Sequence, residues 1–388
     1  MVLEAPKWSS LPYDWYRHMR ATSPVWFDEA THMWNIFRYE DVCFILNNPT
    51  IFSAEVFPGS PTPGLPSIHG MDDPRHRTLR GFVSHPFSPR MIAQLAARTK
   101  QVTDQLLDAV IADGQMDMAR DLAYPLPLIL MAELLGVPTQ DQARFHEWSH
   151  ALISNSTPET IIASPERHLW AIRSFYDYFR QHLQERRRQP RLDIISRLLA
   201  SQVDGQPLSE QVILDMCVLL MGAGNETTAK LIGNALLAFQ EHPTVMQELR
   251  AEPSLIPSAI EEVLRLSPSI VSSHRFTTQE VTLEGVRIPA RQAVLFRIAS
   301  ANTDETHFEE PLSFNIRRYP NKHLTFGQGV HFCLGAPLAR LAAKIALSRV
   351  LERLDDIQSI PERPPKHLQG FFVCGVESLP VTFRVVPQ

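Results

Sequence analysis

The densest potential chemistry in the sequence lies at Leu324–Arg340, LTFGQGVHFCLGAPLAR. There Gly327, Gly329 and Gly335 surround Cys333 within nine residues, and a helical pattern starts directly afterwards. Glycines at that density let the backbone turn tightly and approach a flat ligand closely. A thiolate just before a helix faces backbone N–H groups and the positive end of the helix dipole, which favour the ionised sulfur and lower its pKa. The same donors tune a metal bound to the sulfur, and on iron a thiolate pushes electron density that favours O–O cleavage. Spacing alone also admits a Gly-rich turn with an incidental cysteine.

A second unusual segment is the middle of a long helix. Residues 209–241 read as one helix, with Ser209 as N-cap and Pro243 beyond the end. Its centre holds Gly222 and Gly224 on either side of Ala223, then the polar run Asn225, Glu226, Thr227 and Thr228, before apolar residues resume at Leu231. Each interior glycine costs about 1 kcal/mol relative to alanine, so a helix built this way points to a buried site. Glycines would let a planar cofactor lie against the backbone, and the acid and hydroxyl can relay protons. The other reading is a kink, with the threonines bonding back to carbonyls one turn earlier.

The elements that must hold these two segments are mainly helical. Further amphipathic patterns cover 88–112, 139–152, 165–188, 244–251, 256–266 and 336–354, punctuated by Pro243, Pro253 and Pro268. Strand-like alternation occurs near 33–38, around the Glu284-Gly285 turn, and at 370–384. Residues 57–70, with four prolines and three glycines, exclude regular structure. Arg186–Arg188 end a long helix and are expected to form a solvated C-terminal turn favoured by the dipole.

Bulk composition narrows the function classes. Apolar residues make up 44% of the 388, enough for a sizeable core, and the net charge of -5 argues against a dedicated nucleic-acid binder. The start, MVLEAPKWSS, lacks the basic and apolar runs of a secretory signal. The best membrane-span candidate, Val212–Gly224, is broken by Asp215 and falls short of the roughly 18 residues required. Cysteines 43, 217, 333 and 374 form no CxxC pair, which fits a reducing cytosol; the three besides Cys333 are expected to be small buried hydrophobes.

The run Phe326-Gly327-x-Gly329-x-His331-x-Cys333-x-Gly335, continued by Leu338-Ala339-Arg340, resembles the haem-binding signature of the cytochrome P450 family. Ala223-Gly224-x-Glu226-Thr227-Thr228 resembles its oxygen-activating motif. The likeness implies Cys333 as the iron ligand, with Ala223, Gly224 and Phe326 beside the haem. It further implies Thr227 as the group that holds the oxygen and Glu226 as the acid that delivers protons from solvent. Glu262 and Arg265, three apart on one helix face and worth little as an exposed pair, resemble the family's Glu-x-x-Arg element, with Arg318 as third partner. That trio is structural, buttressing the loop before the cysteine. Buried haem propionates need cationic or hydrogen-bonding partners. Asp73-Pro74-x-His76-x-x-x-Arg80 resembles the propionate-binding helix, and Arg275 and His331 fall at two further propionate positions. One departure is Thr303, where bacterial members usually carry arginine, so a looser local contact is expected.

The resemblance runs from about residue 10 to the end. It implies a mainly α fold with small β-sheets near the N-terminus, treated as a single domain over residues 1–388. The haem, as haem b, would lie between the long central helix and the cysteine loop with its following helix. The implied activity is a monooxygenase that inserts one atom of dioxygen into an unactivated C–H bond. It would be a soluble, cytoplasmic, monomeric protein of bacterial type, without nucleic-acid or membrane association. Electrons would come from a separate ferredoxin or flavodoxin, since the chain ends about 50 residues after Cys333 with no fused module. Arg75, Arg77, Lys322 and Lys344 are the candidate docking charges. Phe52, Phe57, Leu65, Ile270, Val271, Phe371 and Phe372 are candidate pocket residues for an apolar guest such as a terpenoid, steroid or fatty acid. Rival readings are a peroxide-driven haem-thiolate peroxygenase and a haem sensor without turnover; neither needs the Glu226-Thr227 pair.

Overall fold

The structure, a computed structural model, describes residues 9–57, 67–153 and 165–386. Its axis is the helix Glu210–Glu241, 32 residues and therefore about 48 Å long. Ser209 caps it, its Oγ accepting from the Val212 N–H at 3.4 Å, and Pro243 opens the next helix, Pro243–Ala251. Around this axis pack Pro125–Leu135, Gln142–Ile153, Pro165–Arg188 and Ala336–Arg353. Pro125–Leu135 (PLPLILMAELL) is apolar on nearly every side and buried along most of its length, as expected of a helix lying inside the core. The helix after the cysteine, Ala336–Arg353, buries Ala339, Ala342, Ala343 and Ala346, small side chains that allow close approach to the axial helix. No helix among the described residues is long and apolar enough to cross a membrane.

Five strands form the larger sheet, in the order Val25–Asp28, Met33–Ile36, Ala293–Phe296, Ser273–Thr277, Phe52–Ser53. Ala293–Phe296 runs parallel to Met33–Ile36 and the other pairs are antiparallel. The sheet expected near the N-terminus is thus completed by strands from the last third of the chain. That pairing puts Arg275 opposite Val294, inside the sheet rather than at an edge. A three-stranded sheet joins Leu354–Ser359, Pro380–Val385 and Gln115–Asp117. The Glu284-Gly285 hairpin forms as expected, both residues at positive φ, 49° and 76°, the backbone twist that short hairpins favour.

Several expectations need correction. The pattern at 88–112 is two helices, Pro89–Gln94 and Ala96–Asp108, separated at Leu95. Arg186 is not solvated: it is 1% exposed, donates to Asp193 at 2.6 Å and binds the Gly136 carbonyl. Glu262 and Arg265 are both 0% exposed, so they form a buried pair rather than a surface one. Cys217 and Cys374 are buried as expected, whereas Cys43 is half-buried. Thr303 leaves no loose contact, because the buried Arg20 donates to the Thr303 carbonyl at 2.9 Å and the Ser300 carbonyl at 3.0 Å.

Candidate functional site

From Ile213 to Phe239 the axial helix is buried on all sides except at Leu219, Ala223, Gly224 and Thr227. Leu219, Ala223 and Thr227 are spaced by four and share one face, so a single stripe of accessible surface runs along an otherwise closed helix. Ala223 opens onto that stripe. Gly224 serves a different neighbour, since a Cβ there would stand 2.7 Å from Met131 Cε; its role is helix packing more than a flat ligand. The Thr227 hydroxyl donates to the Ala223 carbonyl at 2.8 Å, the back-bond that the kink reading required, yet the helix continues unbroken. Ser269 donates to the Thr227 carbonyl at 2.8 Å, fixing this turn from the far side.

The cysteine loop is held from below. The Cys333 N–H donates to the Phe326 carbonyl at 2.8 Å, and the backbone N–H groups of Gly335 and Ala336 are directed at the sulfur. Gly327 and Gly329 both have φ of 68°, and a Cβ on Gly329 would come 2.8 Å from the Leu46 carbonyl oxygen. A Cβ on Gly335 would meet nothing within 4 Å, so that side of the loop is open. Phe326 lies under the Arg340 guanidinium, 4.5 Å from its ring centroid, and Arg340 is clamped on Glu261 by two bonds of 2.7 Å. Burial raises the Cys333 pKa and outweighs the lowering by the two N–H groups, Arg80 and Arg340. The expected net depression therefore fails for the bare thiol; a bound metal cation would reverse it, since coordination deprotonates a thiol.

Cations gather beside this loop. His76 is 2% exposed, its ring centroid 4.2 Å from that of His331, and its Nδ1 lies 3.3 Å from Asp73 Oδ1. Arg80 donates to the Val330 carbonyl at 3.2 Å and also to that of Phe332. Arg275 is 6% exposed and donates to the His274 carbonyl at 2.8 Å. Burial, then Arg275 and neighbouring histidines, depresses His331 to about 3. His274 falls to about 3 for the same kind of reason, and the exposed His69 stands near the same cations. These last two were not anticipated: each is a lone histidine in sequence, and only the fold brings them to the cluster. His76 Nε2, His331 Nε2 and His274 Nδ1 are buried without a hydrogen-bond partner. A group of donors and cations left in this state suits two carboxylates, as haem propionates are. Among the described residues no three His, Cys, Asp or Glu side chains cluster as metal ligands, so an iron on Cys333 needs its remaining ligands from a macrocycle. The residues fit haem.

Glu226 lies just off the stripe, 0% exposed, its Oε1 3.6 Å from Lys230 Nζ and 3.8 Å from His150 Nδ1. Under the site, Glu262 binds Arg265 by two bonds of 2.8 Å, Arg318 at 3.1 Å and Asn321 at 3.0 Å. Arg265 in turn donates to the Asn302 and Ser313 carbonyls, each at 3.1 Å. The trio anchors the segment ahead of the cysteine loop, as expected. The pocket candidates divide. Phe57, Ile270, Phe371 and Phe372 are half-buried, with Phe57 edge-on to Phe276 at 5.1 Å. Val271, 4% exposed among Tyr16, Phe37 and Cys374, is core. So is Phe52, fully buried against Phe44. Leu65 lies outside the described residues, as does most of the Pro-rich segment.

Fold and site together fit the haem-thiolate class. The chain belongs to the cytochrome P450 family, whose model matches residues 24–380, and it is a monooxygenase of that family. It is 38% identical over 385 residues to cyclomarin C epoxidase CymV of Salinispora arenicola, covering 95% of each chain. It is also 38% identical to erythromycin C-12 hydroxylase of Saccharopolyspora erythraea, covering 97% of this chain and 95% of that one. Among solved structures, CYP109E1 from Bacillus megaterium in complex with testosterone superposes with a TM-score of 0.91 at 35% identity, over 96% of this chain and 97% of that one.

Proposed function

We propose that this chain binds haem b through Cys333 and inserts one atom of dioxygen into an apolar small molecule, drawing electrons from a separate ferredoxin or flavodoxin. The observation that carries this reading is the accessible stripe Leu219–Ala223–Thr227 with the buried acid Glu226 beside it. Neither a peroxide-driven enzyme nor a haem sensor needs an acid placed there.

Haem bound through Cys333 would supply an electron-rich iron suited to reducing and cleaving dioxygen. His76, Arg80, Arg275 and His331 would hold the propionates, with His69 and His274 adding neutral donors to the same cluster. Thr227, whose O–H is engaged by the Ala223 carbonyl, offers its oxygen as an acceptor toward the stripe. Glu226 holds the proton destined for that region. The apolar side chains Phe57, Ile270, Phe371 and Phe372 favour a guest of low polarity. Relatives bound to testosterone or acting on erythromycin support a steroid-sized or macrolide-sized substrate class. We assign electron delivery to the surface beside the cysteine helix. There Pro89, Ile92, Pro257, Ile260 and Leu341, with Arg340 and Lys344, line a groove of about 300 Å³. The haem-loaded protein is tested by screening steroids, macrolides and fatty acids for a substrate-induced spectral shift, then for oxygenated product with a ferredoxin and reductase. Spectral binding without product from any bound compound would refute the reading.

A further inference from the structure

The acid beside the stripe is part of a larger buried construction. Lys230, one turn beyond Glu226, is 0% exposed, and a buried ammonium is costly unless well satisfied. Its Nζ donates to Tyr124 Oη at 2.5 Å and to the Val376 carbonyl at 3.3 Å. It also stands 3.6 Å from Glu226 and 3.9 Å from Glu377. Strand Cys374–Ser378 is notched to admit it: Gly375 has φ of +146°, and a Cβ there would come 2.9 Å from Lys230 Cβ. Gly233 on the helix side is matched to the same strand, its virtual Cβ 3.2 Å from Val376 Cβ. The notch meets Lys230 Cβ and would serve an apolar residue as well; what is particular to lysine is a buried ammonium surrounded by Tyr124 Oη, the Val376 carbonyl, Glu226 and Glu377, which packing does not explain.

The same Glu226 oxygen, Oε1, is 3.8 Å from Nδ1 of His150, whose side chain is 27% exposed. His150 therefore touches both solvent and the buried acid. His146, on the same helix, packs edge-on to Tyr124 at 4.6 Å. Glu377 is 33% exposed but is separated from Glu226 by the Lys230 ammonium.

We propose that His150 is the proton inlet to Glu226, and that Lys230 is the positioning residue that keeps the Glu226 carboxylate between His150 and Thr227. The inference rests on the monooxygenase reading. Solvent protonates Nε2 at the exposed edge of the ring, the imidazolium gives its Nδ1 proton to Glu226 Oε1 and is left as the Nε2–H tautomer, and a ring flip or proton exchange with water restores the Nδ1–H form; no electrons move. The 3.8 Å gap exceeds a hydrogen bond, so one water or a small side-chain rotation completes the path.

Two measurements on the full, haem-loaded protein test this. The first compares His150→Phe, His150→Glu and Glu377→Gln in dioxygen-driven turnover with a redox partner. His150→Phe should lose about 10² in product rate and show a larger solvent deuterium isotope effect, and His150→Glu should recover most of the rate. Hydrogen peroxide, which brings its own protons, should restore product formation in His150→Phe. An undiminished dioxygen-driven rate in His150→Phe, or the same loss in Glu377→Gln alone, overturns the assignment of the inlet. The second measurement reads no activity: urea unfolding of Lys230→Met, Glu226→Gln and the double variant. Lys230→Met should lower the midpoint and the double variant should regain part of it, because the carboxylate that lost the ammonium is then neutral. Additive losses overturn the positioning role of Lys230. If the unaltered protein makes no product with dioxygen or with peroxide, the monooxygenase reading itself falls.

Discussion

Removing the Thr227 hydroxyl should separate electron consumption from product formation. Thr227 Oγ1 has one proton, and the Ala223 carbonyl takes it at 2.8 Å; what remains toward the stripe is an acceptor oxygen. Thr227→Ala removes that acceptor while leaving Glu226, 0% exposed, and the rest of the helix in place. Positioned proton transfer is worth about 10²–10⁴ in rate, and the lower figure is about 2.7 kcal/mol at 1.36 kcal/mol per decade. A loss of that size lets release of reduced oxygen outrun its productive use. The ratio of product to reduced nicotinamide consumed should then fall to a few per cent, with hydrogen peroxide making up the difference. Thr227→Ser, which keeps the same oxygen, should retain most of the ratio. Glu226→Gln should instead lower oxygen uptake and product together, because the proton supply itself slows. The assay follows cofactor oxidation, peroxide and product in parallel with a redox partner supplied. A Thr227→Ala variant that keeps the wild-type ratio, or a Thr227→Ser variant as impaired as alanine, would refute the role given to this hydroxyl.

Other consequences follow from the supporting residues. Glu262→Gln leaves Arg265, itself 0% exposed, without its buried carboxylate partner. It should destabilise the fold by about 3–5 kcal/mol, read by urea unfolding, with lower haem content on purification. Burial would raise the Glu261 carboxyl, but Arg340 and His323 hold it down to about 2. A depressed folded pKa contributes stability that is present above the unfolded value and lost as pH falls through the folded one. The stability gap between wild type and Glu261→Gln should accordingly be full at neutral pH and shrink between about 4.5 and 2. An unchanged gap across that window would show that Arg340 and His323 do not hold the carboxylate. Double charge reversal at Arg77 and Lys344 should slow reduction by an acidic ferredoxin without shifting substrate affinity, the effect fading as salt shortens the Debye length. Arg77 already pairs with Asp73 at 2.7 Å, so Lys344 should account for the larger share of the change.

What the sequence disclosed depended on how each residue was encoded. Cys333 and its glycines were legible because a tight turn, a sulfur and a helix start lie in one short run. Glu226 and Thr227 stood out because polar residues interrupt an apolar helix. Helix Pro125–Leu135 was not anticipated, since a segment buried along most of its surface carries no helical alternation to read. Arg186 was misread as solvated because its partners, Asp193 and Gly136, are joined to it only by a turn and a distant helix end. Burial of the Glu262–Arg265 pair likewise depends on Asn302 and Ser313, far along the chain. Lys230, His69 and His274 are ordinary single residues in sequence; their neighbours come from other elements. Among the pocket candidates, Val271 went to the core because the strand carrying Arg275 continues from a tightly packed corner with Tyr16 and Phe37.

The account stands on the sulfur ligand, and the carbon monoxide spectrum of the reduced protein tests it most directly. Thiolate-ligated haem gives a strongly red-shifted Soret band. The unaltered protein, together with Cys43→Ser, Cys217→Ser and Cys374→Ser, should show that band, and Cys333→Ser should lose it. A red-shifted band that survives in Cys333→Ser would contradict the assignment on which the site is built.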